Sequence, residues 1–413
     1  MLNNLLSEHQ FGFCPGRSCV TQLLVTLKNW LESLDNNIPV DAAYLDFKKA
    51  FDSVPHERLL TKLKGYGVSG NILNWIKDFL SDRYQFVKIN NSSSEKVPVT
   101  SGVPQGSVLG PTLFIYFIND LPSVTSALMK IFADDTKAHN KVLNDEDREF
   151  LQSAIDDMYL WTVEWLLGFN EDKCNILHLG KDNPNFNYNI GPPNNKVKLG
   201  TTVSEKDLGV YVDPLLNFEN HVQQTTKKAS RVSFQIIKNI CFKTKNIMVP
   251  LFKSLVRPIL EYANSVWSNN LRKNIDAIER VQRFFTKCIV EVKDLSYEER
   301  LKLLELPSLE FRRFRGDLIE TFKITHGIYD TISTKSLFTY SNTNSGLRGH
   351  NYKLEKVRTN KNAYRSFFTN RVVNTWNKLP DDIVNSCTVN TFKNKIDSYF
   401  KHKMFTTNED LYE

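Results

Sequence analysis

LMKIFADDTKAHN, residues 128–140, sets an apolar run against two adjacent aspartates and then a short polar stretch. Leu128 to Phe132 reads as a buried strand, and Asp134 and Asp135 fall where that strand ends. Adjacent carboxylates resist joint ionisation unless something cationic compensates them. A solvated hairpin turn also accounts for the pair, because Asp is a turn former. The stretch alone leaves both readings open.

The surrounding chain narrows them. Its 413 residues suffice for two or three domains and a sizeable core. An apolar content of 41% with 24% charged residues is that of an ordinary globular protein. No run of about 18 apolar residues offers a membrane span, and the N-terminus MLNNLLSEHQ lacks the features of a signal peptide. Six scattered cysteines, without CxxC or a Cys/His cluster at zinc spacing, predict free thiols in a reducing, intracellular compartment. The net charge of +7 is unevenly spread: residues 221–290 hold 13 Lys and Arg against 3 Asp and Glu. Such a segment either faces phosphates or forms solvated helix faces.

Along the chain, SEHQFGFCPGRSC is Gly/Pro-punctuated loop, and a helix follows over Val20–Leu34. DAAYLDF (41–47) is strand-like and delivers Asp46 near its end. Ser53 and Pro55 are expected to cap a helix carrying Leu59, Leu60 and Leu63, and another helix runs over 70–80. RYQFVKIN reads as a strand, KVPVTSGVPQGS as loop and VLGPTLFIYFINDL as a largely buried helix. An amphipathic helix is expected over Asp147–Leu167, then a strand at KCNILHLG and another strand or hairpin arm at VSEKDLGVYVD. Long helices begin near 219, residues from about 300 onward are mixed, and 331–346 is loop-like. Short strands mixed irregularly with helices predict an α+β domain, with a boundary near 215 and a helical part beyond it.

Asp46 and Asp134 each close a short apolar strand. Were the strands neighbours, Asp46, Asp134 and Asp135 would converge into an oxygen-donor cluster suited to Mg²⁺. Two such ions activate an attacking hydroxyl and stabilise a leaving pyrophosphate.

AYLDFKKAFDSV (43–54), SGVPQGSVLGPTLF (101–114) and FADD (132–135) resemble motifs A, B and C of reverse transcriptases, in the family's order. WTVEWLLGFNEDKCNILHLG (161–180) resembles motif D, and EKDLGVYVDPLLNFENHV (205–222) resembles the segment leading into the thumb. These versions are most similar to the jockey-like group of non-LTR (LINE-type) retrotransposons. YRSFFTNRVVNTWNKLP and FKNKID resemble the tail of those elements' polyproteins.

The resemblance implies a right-hand polymerase: partial fingers over 1–40, palm over 41–215, a helical basic thumb over 216–300, and a mixed, mainly helical C-terminal region over 301–413 of unassigned role. It implies RNA-directed DNA polymerase activity, with two Mg²⁺ ions (Mn²⁺ as the alternative), a dNTP substrate, an RNA template and a DNA primer, in the nucleus or cytoplasm and without a membrane. Asp46 and Asp134 would be the principal metal ligands, joined by Asp135 and the backbone carbonyl of Phe47. Phe51 would lie under the incoming sugar, where a ring clashes with a ribose 2′-OH; on its own it reads as a core aromatic. Gln105 and Gly106 would line the nucleotide and template site. Lys173 would be a proton donor to the leaving pyrophosphate, although by itself it reads as a surface lysine. Asp52 reads as a structural residue near Ser53 and Arg58, and Arg17 as either a phosphate contact or a locally paired arginine. Lys227, Lys228, Arg231 and Lys238 would grip nucleic acid.

The match departs from the family in places. The chain is expected to begin partway through the fingers, and Cys14 stands where the common pattern GFRPGRS has arginine. Neither a CCHC knuckle nor an RNase H site is legible. An alternative reading follows: a catalytically silent retrotransposon relic that only binds nucleic acid.

Overall fold

The computed structural model describes residues 5–269, 271–329, 332–341, 349–407 and 411–412. Of the loop-like stretch expected at 331–346, residues 331 and 342–346 lie outside the described residues. The chain forms two compact units: residues 1–22 with 37–203, and residues 23–36 with 204–413. The division falls ahead of the boundary expected near 215. The first helix, α1 (Cys19–Asp35), contributes to both.

In the first unit, β1 (Val40–Leu45) precedes three helices: α2 (Ala50–Ser53), α3 (His56–Gly65) and α4 (Gly70–Leu80). The stretch expected as one strand over RYQFVKIN is instead broken into two-residue pieces, β2 (Tyr84–Gln85) and β3 (Lys88–Ile89). These pair with β5 (Val97–Pro98) and β4 (Ser92–Ser93). All four are exposed, so no buried face supports a longer strand. Next come α5 (Leu109–Ile118), the hairpin β6 (Leu128–Phe132) and β7 (Asp135–Lys141), and α6 (Asp145–Trp165). The unit closes with β8 (Asn175–Leu179), β9 (Asn189–Ile190), β10 (Val197–Lys198) and β11 (Gly200–Thr202).

Five strands form one sheet in the order β11-β8-β1-β7-β6. Among the described strands of this sheet, only the β11–β8 pairing is parallel. Central β1 has Ala42 and Ala43 fully buried, which is why it reads as an apolar run. The carboxylate of its Asp41 is fully buried and accepts three hydrogen bonds, from His178 Nδ1 (2.7 Å), Asn183 Nδ2 (2.8 Å) and the Tyr188 hydroxyl (2.8 Å). Each removes part of the desolvation cost of that carboxylate. One face of the sheet packs on helices: Leu151, Ile155, Met158 and Trp161 of α6 recur at helical spacing and share a core with Ala43, Met129, Ile131 and Ala138. In this core Lys62 is surrounded by Phe117, Trp161 and Trp165, with its Nζ 3.8 Å from the Trp165 ring centroid and hydrogen-bonded to the Phe117 carbonyl and to Asp120.

Ser53 does not cap α3. It ends α2, and its hydroxyl donates to the Lys48 carbonyl at 2.9 Å, while Pro55 holds the N-cap position without a side-chain bond.

In the second unit, β12 (Glu205–Asp207) and β13 (Val210–Val212) form a hairpin. Its two turn residues, Leu208 and Gly209, both have positive φ (45° and 86°), the conformation that suits a tight hairpin. Helices follow: α7 (Glu219–Asn239), α8 (Lys245–Leu251), α9 (Arg257–Glu261), α10 (Asn264–Trp267), α11 (Arg272–Lys287), α12 (Tyr297–Leu304) and α13 (Leu309–Thr325). A buried ion pair fastens α13 to the C-terminal part. Arg371 Nε and Nη2 reach the Asp317 carboxylate at 2.8 and 3.0 Å, and the Tyr412 hydroxyl donates to it at 2.6 Å. The α1 portion in this unit is tied by Asp35, whose carboxylate accepts the amides of Asn360 (2.9 Å) and Lys361 (2.7 Å).

Candidate active site

The condition set by the sequence is met: β1 and β7 are antiparallel neighbours, with Leu45 opposite Thr136. Carried one residue further, that register sets Asp46 opposite Asp135. Phe132 and Asp135 close the β6–β7 hairpin, so Ala133 and Asp134 form its two-residue turn. Ala133 has φ 55°, which points the turn sharply and leaves Asp134 at its tip. Burial first, and the nearby Asp46 charge after it, push the Asp134 carboxyl above its ordinary value.

The hairpin is braced by the loop that begins the unit. Residues 9–12 run alongside β6, with Gln10 bridged in parallel to Ile131. The Phe11 amide donates to the Ile131 carbonyl (2.8 Å), and the Ile131 amide to the His9 carbonyl (2.9 Å). Gln10 Oε1 accepts the amides of both Gly12 (2.8 Å) and Ala133 (2.9 Å), joining loop to turn. A Cβ on Gly12 would overlap the Ala133 amide nitrogen, so only glycine permits this approach. Arg17 is spent locally, donating to the carbonyls of Ser7 and Gln10; of its two readings, the paired one holds.

Asp46 is pinned from the motif D side. Its carbonyl accepts the Asn170 amide at 2.6 Å, and its own amide donates to Cys174 Sγ at 3.4 Å. Phe47 bridges Phe169, and their rings lie 4.5 Å apart. Lys173 Nζ stands 3.5 Å from Asp46 Oδ2, so this exposed lysine is carried to the carboxylates by its own short turn.

A clamp joins motifs A and B. The Gly102 amide donates to the Val54 carbonyl, and the Val103 amide to the Phe51 carbonyl, both at 2.8 Å. Ser101 Oγ donates to the Asp52 carbonyl at 2.8 Å. Gly102 has φ 85°, and a Cβ there would come within 2.6 Å of the Asp52 backbone. Gln105 Nε2 donates to Asp52 Oδ1 at 2.8 Å, so the partner of Asp52 is Gln105 and not Ser53 or Arg58. Gly106 has φ 83° with open space where a Cβ would stand. Half-buried Phe51 stacks on Phe114 (4.4 Å, 21°) and meets exposed Phe13 edge-on at 6.4 Å.

Carboxylate oxygens without thiol or imidazole suit a hard cation, and the coupling of Asp46 to Asp134 is the kind of imbalance a cation relieves. Yet among the described residues no three Asp, Glu, His or Cys side chains are gathered closely enough to hold a metal ion. The donors present fit an ion that takes a few carboxylates and completes its shell from substrate phosphates.

In the second unit, Lys227, Lys228, Arg231 and Lys238 all lie exposed on α7. Sequence reasoning did not find Gln10, Gly12 or Asn170 as site-builders. The glycines and prolines of FGFCPGRS were the available signal for the first two.

The family model described as reverse transcriptase (RNA-dependent DNA polymerase) matches residues 1–234. The probable RNA-directed DNA polymerase from transposon BS of Drosophila melanogaster is 28% identical over 72% of this chain and 34% of its own length. The RNA-directed DNA polymerase from mobile element jockey of Drosophila funebris is 30% identical over 67% of this chain and 31% of its own. The chain thus spans about a third of these relatives. Among solved structures, apo telomerase from Candida tropicalis matches with a TM-score of 0.41 at 12% identity, over 73% of this chain and 52% of that one, a likeness too loose to bear on function. With the family model covering more than half of its residues, this chain belongs to the reverse transcriptase family.

Proposed function

We propose that this chain carries the polymerase core of a non-LTR retrotransposon and extends a DNA primer with dNTPs on an RNA template. The observation that supports it most directly is the β1–β7 pairing, which sets Asp46 beside the turn that carries Asp134. In this reading the first unit supplies the palm and the basic helical segment of the second supplies the thumb.

Asp46, Asp134, Asp135 and the Phe47 carbonyl would hold two Mg²⁺ ions, with Mn²⁺ as the alternative. When bound, these supply charge that lowers the pKa of the primer 3′-OH and offsets the pyrophosphate. The chain's own residues do the rest. The Gln10–Ala133 brace fixes the height of Asp134, and Asn170 and Cys174 fix Asp46. Phe51, backed by Phe114, forms a flat wall under the sugar and rejects a 2′-OH by contact. Gln105, oriented by Asp52, and the open backbone at Gly106 line the base-pair side. Lys173 stands ready to give a proton to the departing pyrophosphate. Lys227, Lys228, Arg231 and Lys238 neutralise strand phosphates, which makes binding salt-dependent and sequence-independent. Six free cysteines fit action in a reducing compartment inside the cell, nucleus or cytoplasm. Among the described residues no helix is long and apolar enough to cross a membrane.

The test is primer extension by purified chain on poly(rA)/oligo(dT) with dTTP and Mg²⁺ or Mn²⁺. Asp134→Ala, folded as judged by circular dichroism, is expected to lose several kcal/mol of transition-state stabilisation, roughly a thousandfold in rate. A second reading, a nucleic-acid binder without polymerase activity, draws on the exposed cations of α7. Salt-sensitive strand binding with no extension under either metal would establish it and overturn the first.

A further inference from the structure

A cavity of about 630 Å³ opens in the second unit, between the β12–β13 hairpin, α7 and the α9 turn. That size lies in the range of pockets that take a small molecule or one unit of a polymer. Four cations line it, Lys206, Lys227, Lys228 and Arg231, and no carboxylate does. Other cations of the same basic segment are neutralised at home: Arg257 pairs with Glu261, Arg272 with Asp276, and Lys273 with Glu219. Among the described residues no carboxylate pairs with Lys227, Lys228 or Arg231. Three uncompensated cations of the segment thus meet at one concavity.

The cavity also has an aromatic lining. Tyr211 and Tyr262 both face it. Tyr262 is preset: its hydroxyl donates to the Leu208 carbonyl at 2.9 Å, and its ring lies against Gly209, where a Cβ would come within 3.1 Å of it. Tyr211 is held through its amide, which donates to Nδ1 of buried His221 at 3.3 Å. Rings fixed beside unpaired cations are the features that bind a nucleotide by its base face and its phosphate together. A base in a duplex is covered above and below by its neighbours and cannot enter a concavity; an unpaired base can.

We propose that this cavity receives one unpaired nucleotide of a single strand, its base against Tyr211 and Tyr262 and its flanking phosphates on Lys227, Lys228 and Arg231. The inference rests on the nucleic-acid reading of α7 and goes beyond it, because backbone grip alone does not distinguish one strand from two.

The test is fluorescence anisotropy of the full chain with a labelled 12-nucleotide oligo(dT) and with a blunt hairpin duplex of equal phosphate number. The single strand is expected to bind about tenfold more tightly, the value of roughly one base stacked on an aromatic ring. Tyr211→Ala should remove that preference and Tyr211→Phe should keep it. Lys227→Ala with Lys228→Ala should weaken both probes and lower the salt slope on the single strand by about 1.4. Equal binding of the two probes, unmoved by Tyr211→Ala but weakened by the lysine pair, overturns this inference and leaves the basic-helix reading standing. Indifference of both probes to the lysine pair overturns both.

Discussion

Replacing Gly12 with alanine tests the brace on the Ala133–Asp134 turn. The new Cβ would overlap the Ala133 amide nitrogen and lie 3.0 Å from the Phe132 carbonyl carbon and 3.1 Å from the Ala133 Cα. Comfortable carbon contacts begin near 3.5 Å, so relief needs a shift of about 1 Å. The obstruction is backbone on both sides, and no flexible side-chain end can give way. The shift must come from the loop or the hairpin, and both are fixed by Gln10, whose Oε1 accepts from Gly12 and Ala133 together. Overpacking of this kind costs about 1–3 kcal/mol of stability. Misplacing a reacting group by about 1 Å costs roughly a hundredfold in rate. Gly12→Ala should therefore lose about a hundredfold in primer-extension kcat while unfolding at only modestly lower denaturant. Gly65→Ala, with open space around it, should change neither. If Gly12→Ala keeps wild-type kcat and stability, the brace does not set the position of Asp134.

The other predictions reach further through the molecule. Phe51→Ala should raise the ratio of ribonucleotide to deoxyribonucleotide incorporation by about tenfold or more, since one lost steric contact of 1–3 kcal/mol has that value; an unchanged ratio in single-nucleotide extension refutes the wall assigned to this ring. Burial holds His139 down to about 3 and His221 to about 4, against an ordinary 6.5. Because the folded values are lowered, their contribution is intact above about pH 6.5 and is lost progressively as pH falls from there toward the folded values. Denaturant titrations at pH 7 and 5 should differ by about 2 kcal/mol for each group, and His139→Gln should remove its share. Arg371→Ala leaves Asp317 buried without its cation and should cost about 3–5 kcal/mol in the second unit, whereas an unaltered thermal midpoint would show that the Tyr412 hydroxyl suffices.

Local signals carried much of this fold. Central β1, buried on both faces, betrays itself by Ala42, Ala43 and Leu45, and α6 by the spacing of Leu151, Ile155 and Met158, because each pattern is written within a dozen residues. The turn at Asp134 was legible for the same reason. What makes the turn a site was not. The Gln10–Ala133 bond spans more than a hundred residues, and Asp52 finds Gln105 about fifty residues away; hydrogen bonds of that reach leave no periodicity. Ser53 misled because a serine before a helix resembles a cap, and only the Lys48 carbonyl nearby shows its actual use. RYQFVKIN carried strand propensity with no buried face to use it, so tertiary context broke it into fragments.

Asp41 and Asp46 stand on the same strand path, five residues apart, and this gives the buried carboxylate of Asp41 a meaning beyond stability. Side chains on a strand alternate, so a slip of β1 by one residue would turn Asp46 to the opposite face of the sheet. Asp41 helps fix that register: His178, Asn183 and Tyr188 all bond its carboxylate in the observed alignment. It acts as the index mark of the ruler along which Asp46 is measured. Its loss would remove three bonds that hold the strand, and with it Asp46, in this alignment.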